Sequence, residues 1–435
     1  METDALRRRL KARLDELIDQ ALASNKPPRT MDEVEALAVE LGQRAREEIA
    51  AELAQSAKTE AESKAVQKIR CACGRWAWYK GERSHQIVTM AGEVRVSRAY
   101  YYCRRCDAGV CPADAVLGLE SGCFTRRVRQ EAARLGGLMA FAPGVALFSE
   151  WTGVEISAKH AQRLTAEGGA VAAEYLLFRQ EEAFAERVRP ADAVDVLYLE
   201  ADGVQTPMVE GWRETKVGLA RRIDRAGNPM GPTEYVSFLG NCEPFGERWY
   251  TLGVYAGVET ARLVAVLGDG AAWIWNQASL HFPRAIQILD FWHAVERLWE
   301  LGRAAFGVGS AAASSWVLAR KEELLLGRWE KLTEALSGLA GAHPGLWETV
   351  EETLGYYRNN RERMDYPRYR ALGLQIGSGA AESGCKQVVT QRLKGAGMRW
   401  KEAGAQVVAQ LRCLLLGGQW ADFRAYWDRT HPAMV

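Results

Sequence analysis

The chain has 435 residues, and at about 100 to 200 residues per domain this length predicts two to four domains. Its residues are 48% hydrophobic and 26% charged, with no apolar run near the roughly 18 to 20 residues of a membrane span, which argues against a membrane protein. The net charge of +1 argues against a protein that coats nucleic acid through its overall charge, although local basic faces are compatible with it.

Residues 1–66 are predicted to form N-terminal helices. Leucines recur at helical spacing in the first segment, and a second helical pattern runs from Met31 to about Lys64, after the break at Pro27 and Pro28. The charged faces of these helices fit two interpretations, pairing with a partner chain or a solvated helix with one packed stripe.

Residues 67–124 are predicted to form a zinc-ribbon-like β-unit, because alternating residues flank a turn at Ala91 and Gly92. Two close pairs of cysteines stand at the ends of this hairpin, an arrangement that closes a tetrahedral zinc site. A site with four protein ligands has no open position, so its Zn²⁺ would be structural. The four predicted ligands are Cys71, Cys73, Cys103 and Cys106.

The chain has nine cysteines, so five lie outside these two pairs. Cys111 is close enough in sequence to replace one of the four ligands. The alternative for the whole group is buried, reduced cysteine without a metal. No role is assigned to the rest, Cys123, Cys242, Cys385 and Cys413.

Residues 125–190 are predicted to be a helical DNA-binding segment. A helix, a short turn at Thr152 and Gly153, and a second helix near Ser157 to Ala166 make it helix-turn-helix-like. Residues 191–435 mix strands with later helices and predict an α/β domain. Strand candidates are Val194 to Leu199, Trp212 to Arg222, Glu234 to Leu239, Trp249 to Tyr255, Leu263 to Leu267 and Ala285 to Leu289, and helices follow at Ala294 to Gly341, Ala380 to Leu393 and Glu402 to Leu416.

Three acidic residues in this last domain are candidates for a catalytic metal site. Asp202 and Asp269 each follow an apolar strand and precede a glycine, and Glu382 lies just inside a predicted helix start. Two-metal phosphoryl transfer needs several carboxylates that converge on neighbouring cations. Taken singly, the aspartates could be turn formers or helix caps, and Glu382 could pair with Lys386. Asp195 and Glu200 compete with Asp202 for the place of the first acid.

Three sequence blocks carry a resemblance to a known family: ADG after a strand, LGDGAAWIW followed by FPRAIQILDFWHAVERLW, and GSGAAESGCKQVVTQRLKGAGMRW followed by LRCLLLGGQW. They resemble the catalytic blocks of bacterial insertion-sequence DDE transposases, of the ISKra-like branch of the Mutator-like superfamily. The cysteine region also resembles the zinc-binding region of those proteins. The resemblance covers about Lys68 to Trp427 and leaves the N-terminal helices outside it.

This resemblance implies a ribonuclease-H-like α/β catalytic domain with an all-helical insertion, placed at about residues 305–370. It implies that Asp202, Asp269 and Glu382 are the catalytic acids and bind Mg²⁺ or Mn²⁺. It also implies action on paired DNA ends as a homo-oligomer, at least a dimer. His293 lies three residues after Asp290 in an element that resembles the D-x-x-H of these enzymes, and it is either a catalytic residue or a structural histidine beside the core.

A basic stretch after Glu382 is a candidate DNA-binding surface, in which cations would contact phosphates and an aromatic ring could stack on unpaired bases. Its predicted DNA-binding residues are Lys386, Arg392, Lys394, Arg399 and Trp400. A second candidate is the segment from Tyr356 to Arg370. For any one of these residues, a solvated helix face is the alternative interpretation.

The sequence therefore predicts a DNA transposase that cleaves and joins the ends of an insertion sequence by two-metal phosphoryl transfer. The alternatives are a non-catalytic DNA-binding protein derived from such an enzyme, against which the intact acidic triad speaks, and a metal-dependent nuclease without joining activity. Because Met1 leads directly into charged residues rather than an export signal, we expect a cytoplasmic protein that is nucleoid-associated when bound to DNA.

Overall fold

A computed structural model describes residues 2–24, 27–61, 66–119, 122–188 and 194–431. The chain forms two compact units, one of Met1–Val171 with Asp422–Val435 and the other of Ala172–Ala421. This division falls inside the predicted segment 125–190. It lies within one long helix, which runs through residues 171 and 172. The boundary predicted between residues 190 and 191 lies outside the described residues.

The first unit begins with helices α1 (Glu2–Ser24) and α2 (Met31–Ala61). They form an antiparallel pair, since Arg9 pairs with Glu52 while Arg13 pairs with Glu48. A four-stranded antiparallel sheet follows in the order β1-β2-β3-β4. Its strands are β1 (Lys68–Arg70), β2 (Trp76–Thr89), β3 (Gly92–Cys103) and β4 (Ala108–Val110), and the short helix α3 (Pro112–Val116) follows it. Small residues of α2, among them Ala50 and Ala54, pack against Val94 and Val96 of β3.

Three more helices follow the sheet: α4 (Arg126–Leu138), α5 (Phe141–Thr152) and α6 (Ala158–Phe184). Gly153 ends α5 with a φ of 70°, a left-handed conformation that glycine adopts without steric cost. Val128, Phe148 and Leu164 share one buried cluster across these helices. The second helix of the predicted helix-turn-helix-like pair therefore exists, but it is much longer than Ser157 to Ala166.

The second unit contains a five-stranded sheet in the order β7-β6-β5-β8-β9. Strands β5, β6 and β7 form an antiparallel meander, and β8 and β9 run parallel to β5. The strands are β5 (Val196–Pro207), β6 (Trp212–Ile223), β7 (Glu234–Leu239), β8 (Leu263–Gly268) and β9 (Ile286–Leu289), and the helices α7 (Cys242–Tyr255) and α8 (Ala272–His281) lie between them in sequence. The predicted mixed α/β class is confirmed.

The predicted strand at Trp249 to Tyr255 is wrong, because these residues belong to α7. Phe245, Trp249 and Leu252 recur at helical spacing and are all buried in the core of the sheet. Aromatic and β-branched residues favour strands by propensity, but here the packing of one helical face against the sheet decides the conformation.

In chain order, the later helices of this unit are α9 (Phe291–Phe306), α10 (Ala311–Leu325), α11 (Trp329–Ala342), α12 (Trp347–Asn359), α13 (Tyr366–Ala371), α14 (Gly379–Cys385), α15 (Gln391–Leu393) and α16 (Glu402–Leu416). Helices α9 to α13 pack into one core with the sheet, where Leu267 of β8 shares a cluster with Leu298 and Leu332. Helices α14 to α16 pack into a second cluster, which includes Val217 and Leu219 of β6. A π-helical turn at Lys386–Thr390 joins α14 to α15. Helix α17 (Trp420–Thr430) ends the described chain, in which no helix is long and apolar enough to span a membrane.

Candidate functional site

Three aspartates lie where the parallel pairing of strands β5, β8 and β9 ends. The prediction that Asp202 ends its strand is wrong, because β5 continues through Asp202 to Pro207 in its antiparallel pairing with β6. Strands β5 and β8 pair in parallel up to Glu200 opposite Leu267, two residues before Asp202 and Asp269. Strands β8 and β9 pair up to Gly268 opposite Leu289, so Asp269 and Asp290 directly follow paired neighbours. The carboxyl ends of adjacent parallel strands are a common place for a ligand site in α/β proteins.

Asp202 and Asp269 are both held by backbone amides, and the charge of Asp269 acts on Asp202. The Gly203 amide donates to Oδ1 of Asp202 at 2.7 Å, and the Ala271 amide donates to Oδ1 of Asp269 at 2.9 Å. Burial raises the pKa of Asp202, and the charge of Asp269 raises it further against the lowering effect of the Gly203 amide. In the described part of the chain, neither carboxylate forms an ion pair with a lysine or arginine, so negative charge is concentrated around them.

Glu382 is exposed and is paired with a lysine. Its side chain is 63% exposed and its Oε1 accepts from Lys386 Nζ at 2.6 Å. Among the described residues, the four cysteines are the only group of three or more potential metal ligands within 4.8 Å of one another, so the three predicted acids do not converge to that distance. The thiol of Cys385, one helical turn after Glu382, is hydrogen-bonded to Asp202, and α14 therefore lies against this aspartate.

Asp290 is a buried junction between two helices. Its Oδ1 accepts from the amides of Trp292 at 2.6 Å and His293 at 3.2 Å and so caps α9. Its Oδ2 accepts from both the amide and the hydroxyl of Ser378 at 2.6 Å, immediately before α14 begins. Burial alone would raise the pKa of Asp290, but its contacts with His293 and Ser378 lower it to about 2.

Glu200 is a second buried carboxylate that fixes α14. It is fully buried, its Oε1 accepts from Arg221 Nη2 at 2.5 Å, and its Oε2 accepts from the Ala381 amide at 3.0 Å. Asp195, the other competitor for the first acid, is held by Arg262 through two hydrogen bonds of 2.7 and 2.8 Å. Glu200 and Asp195, the two alternatives to Asp202 as the first acid, are thus each paired with an arginine, whereas Asp202 is not. We name the contacts of Asp290 with Ser378 and of Glu200 with Ala381 the α14 clamp.

The segment from Tyr356 to Arg370 is hydrogen-bonded to the ends of strands β8 and β9. Its tyrosine hydroxyls donate to backbone carbonyls: Tyr356 to Asp269 at 2.8 Å, Tyr366 to Leu289 at 3.2 Å and Tyr369 to Gln287 at 3.2 Å. Tyr366 and Tyr369 are buried. Their rings are therefore structural, and stacking on DNA bases is not open to them. Sequence patterns alone could not show this, because the acceptors lie about 80 residues away in the chain.

Gly270, directly after Asp269, allows the Tyr356 side chain to lie close to the backbone. Its φ is +102°, and a Cβ atom placed there would lie 2.7 Å from the Tyr356 hydroxyl. Glycine is therefore required both for the backbone conformation and for space.

His293 lies on the exposed side of the Asp290 junction. Its Nδ1 is 3.7 Å from Asp290 Oδ2, its side chain is 43% exposed, and the Asp290 carboxylate raises the pKa of His293 to about 9. Since the folded-state pKa lies above the ordinary value of 6.5, this contact stabilises the fold fully below pH 6.5 and its contribution is lost as pH rises through 9.

We therefore expect His293→Asn to lower the thermal unfolding midpoint at pH 6 more than at pH 9.5. The measurement is thermal unfolding followed by circular dichroism at both pH values, with the parent as reference. Equal losses at the two pH values would show that the charged imidazole contributes nothing to the fold.

The predicted DNA-binding residues fall into two groups. Lys386 and Arg399 are exposed, and Lys394 is half-buried with its Nζ 5.7 Å from the ring centroid of Trp212. The prediction that Arg392 is a surface cation is corrected, because this residue is only 2% exposed. Its Cζ atom lies 5.1 Å from the centroid of the Trp400 ring, and burial lowers its pKa to about 10. An arginine in that position supports the loop rather than presenting a cation at the surface.

Trp400 is anchored on both its backbone and its side chain. Its indole Nε1 donates to the Leu393 carbonyl at 2.9 Å, its amide donates to Pro207 at 3.2 Å, and its carbonyl accepts from Val209 at 2.9 Å. These bonds fix the glycine-containing loop that carries Lys394 and Arg399 to the end of β5.

The four predicted cysteine ligands come together in the first unit. The Sγ atoms of Cys71 and Cys106 are 3.7 Å apart, as are those of Cys73 and Cys103, and all four atoms lie within 4.8 Å of one another. A disulfide needs about 2.05 Å, so these thiols are not bonded to each other. A tetrahedron with Zn–S bonds of about 2.3 Å has edges of about 3.8 Å, which matches the observed separations. The residues present therefore fit a tetrahedral metal such as Zn²⁺.

Cys111 lies outside this cluster, at the residue before α3. The predicted alternative, in which it replaces one of the four ligands, is not the arrangement of the structure. The turns that carry the ligands explain the spacing, since Cys71 and Cys73 lie between β1 and β2, while Cys103 is the last residue of β3 and Cys106 lies in the turn before β4.

The fold and its sites thus define a mixed α/β protein with a four-cysteine cluster that could hold a structural metal. No known protein family matches the chain, and no curated protein matches it either.

Proposed function

We propose that the chain is a DDE-type DNA transposase, and that its second unit is a ribonuclease-H-like catalytic domain. The observation that carries this proposal is the placement of Asp202 and Asp269 side by side, each two residues beyond the last parallel pair of β5 and β8, with α14 held against Asp202. The meander β5 to β7, followed by the parallel strands β8 and β9, supports the proposed fold. Helices α10 to α13 correspond to the helical insertion predicted at about residues 305–370.

Asp202 and Asp269 fit a divalent cation by their chemistry, because they are neighbouring carboxylates without a lysine or arginine partner among the described residues, and the charge of Asp269 helps to raise the pKa of Asp202. With Glu382 they would hold Mg²⁺ or Mn²⁺, which when bound supplies charge stabilisation and an activated oxygen for phosphoryl transfer. The backbone amides of Gly203 and Ala271 orient the two aspartates before any substrate arrives.

In this proposal, Glu382 would join the two aspartates by a rotation of its side chain away from Lys386. It lies three residues before Cys385, and positions three apart are neighbours on a helix surface, so it starts beside the residue that contacts Asp202. Its ion pair with Lys386 is exposed and stabilises the present conformation by only about 0.5 kcal/mol. Lys386, once released, is free to contact a DNA phosphate together with Lys394 and Arg399.

The experiment that tests this function uses DNA carrying the ends of the element that encodes the chain, with Mg²⁺ or Mn²⁺ present. We expect cleavage and strand joining by the parent and neither product with Asp269→Asn, which keeps the side-chain shape but removes the charge. Asp422→Asn, an exposed aspartate of α17, is the matched control and should retain both activities. Products are resolved by denaturing gel electrophoresis.

Two outcomes would replace the proposal. Specific binding of the ends without any cutting by the parent would identify a non-catalytic DNA-binding protein. Cutting without joining would identify a metal-dependent nuclease. The oligomeric state on paired ends, at least a dimer in this proposal, is measured in the same samples by light scattering.

A further inference from the structure

The four-stranded sheet has an open face at its cysteine end that the acidic site does not use. Lys68 of β1 lies opposite Trp78 of β2, which lies opposite Tyr102 of β3. Arg70 lies opposite Trp76, two residues before Trp78, and residues two apart in a strand point to the same side of a sheet. We name these five residues the aromatic–basic face.

The two tryptophans of this face are exposed although they are large and apolar. Trp76 is 40% and Trp78 is 47% exposed. The core of this part of the sheet, which includes Ala77 and Tyr101, lies on the opposite side. Exposed aromatic rings grouped on one surface mark an interaction site more often than isolated ones do.

The cations of the face lie over these rings. Lys68 Nζ is 4.6 Å from the centroid of Trp76 and 5.6 Å from that of Trp78, and Arg70 Cζ is 4.1 Å from Trp76. These contacts hold positive charge beside flat apolar surface, which is the combination that binds a phosphate and the base attached to it.

The net charge of residues 68–110 also favours a ligand that carries phosphates. Residues 68–110 contain nine lysines and arginines and three aspartates and glutamates, a net charge of +6, whereas the whole chain carries only +1. Four thiolates on one Zn²⁺ would carry −2 together and leave +4. Arg104 and Arg105 are exposed in the turn between Cys103 and Cys106, next to the same end of the sheet.

We propose that the aromatic–basic face binds an unpaired DNA strand, with Trp76 and Trp78 stacking on successive bases while Lys68 and Arg70 contact the phosphates. Base pairing and stacking hide the faces of bases in a duplex, so two neighbouring tryptophans select a single strand. The inference rests on the proposed function for the choice of DNA, since a transposase exposes unpaired strands when it opens an end. The cysteine cluster holds the two turns that border this face.

The test measures the affinity of the full-length, zinc-loaded protein for a fluorescent oligothymidylate and for a duplex of equal length, by anisotropy. We expect the double variant Trp76→Ala, Trp78→Ala to bind the single strand at least about tenfold more weakly and the duplex unchanged. Trp347→Ala, which removes a more exposed tryptophan (61%) in the second unit, should bind both as the parent does. Zinc content and unfolding midpoint, equal to those of the parent, show that the double variant is folded.

Salt dependence separates the two kinds of contact. Lys68→Ala and Arg70→Ala should each reduce the slope of log affinity against log salt by about 0.7, and the tryptophan changes should leave it unaltered. Equal losses for single strand and duplex in the tryptophan variant would overturn the proposal. So would loss of self-association in that variant with binding intact, which would assign the face to a second copy of the chain.

Failure here is distinguishable from failure of the proposed function. If the parent neither cuts nor joins DNA but the tryptophans still select the single strand, the face is a nucleic-acid site in a protein that is not a transposase. If cutting and joining persist in a tryptophan variant that binds single strand unchanged, the face has no such role.

Discussion

Cys103→Ser is expected to abolish metal binding and to unfold the four-stranded sheet. Cys103 is fully buried, and its Sγ forms one edge of the thiol tetrahedron with Cys73. The cluster of buried apolar residues around it is small, so the metal supplies folding free energy that this core does not. Structural Zn²⁺ contributes about 10 to 16 kcal/mol in small zinc-binding peptides at pH 7, which exceeds the stability of many domains.

The measurement is zinc content per chain, combined with hydrogen exchange across residues 68–110. The parent should carry one Zn²⁺ and exchange slowly, and the variant should carry none and exchange rapidly. Cys111→Ser is the matched control, since Cys111 lies outside the tetrahedron, and it should keep both the metal and the protection. Metal retained by Cys103→Ser, or lost from Cys111→Ser, would show that the ligand set is different.

The sequence was sufficient to predict features that depend on neighbouring residues. The paired cysteines lie at the ends of a hairpin whose register follows from local alternation, and Asp269 directly follows the apolar strand β8. Asp202 also follows an apolar run, but its strand β5 continues beyond it to Pro207. Each of these features needs only a few consecutive residues to be recognised. The mixed α/β class follows from the same local patterns.

What could not be predicted depends on partners distant in the chain. Asp290 is separated from Ser378 by 88 residues and Glu200 from Ala381 by 181. The sequence around Arg392 predicts a surface cation, but in the fold the Trp400 ring lies against its guanidinium group. A carboxylate or a guanidinium has the same local sequence signal whether it is exposed or buried, and only tertiary packing decides between the two.

The second large effect is expected on the free energy of unfolding, when Asp290 of the α14 clamp is replaced by alanine. Asp290→Ala removes four hydrogen bonds accepted by one buried carboxylate, two from α9 and two from Ser378. Loss of a buried charged acceptor leaves its donors unsatisfied, so we expect the free energy of unfolding to fall by about 3 kcal/mol. Because the folded-state pKa is about 2, below the ordinary 3.8, the parent should keep this contribution above pH 3.8 and lose it as pH falls through 2.

Asp365→Ala is the matched control for this loss. Asp365 also caps a helix, accepting from the Arg368 amide at 3.3 Å, but it is exposed and forms no hydrogen bond with α14 in the described part of the chain. Its loss should lower the stability by about 1 kcal/mol, the ordinary contribution of a cap. Chemical denaturation of the two variants measures the difference, and equal losses would mean that Asp290 acts as a cap alone.

Stability alone does not separate a positioning role from a general structural one, so hydrogen exchange is the deciding measurement. If Asp290 positions α14, its removal should speed exchange of the amides of residues 378–385 under conditions where the β5 amides remain protected. Strand joining should then fall in the same variant at temperatures where it is still folded, because Glu382 is carried by α14. Uniform exchange across both elements would mean that Asp290 stabilises the whole unit, and α14 would then owe its position to Glu200 and the packing of Cys385.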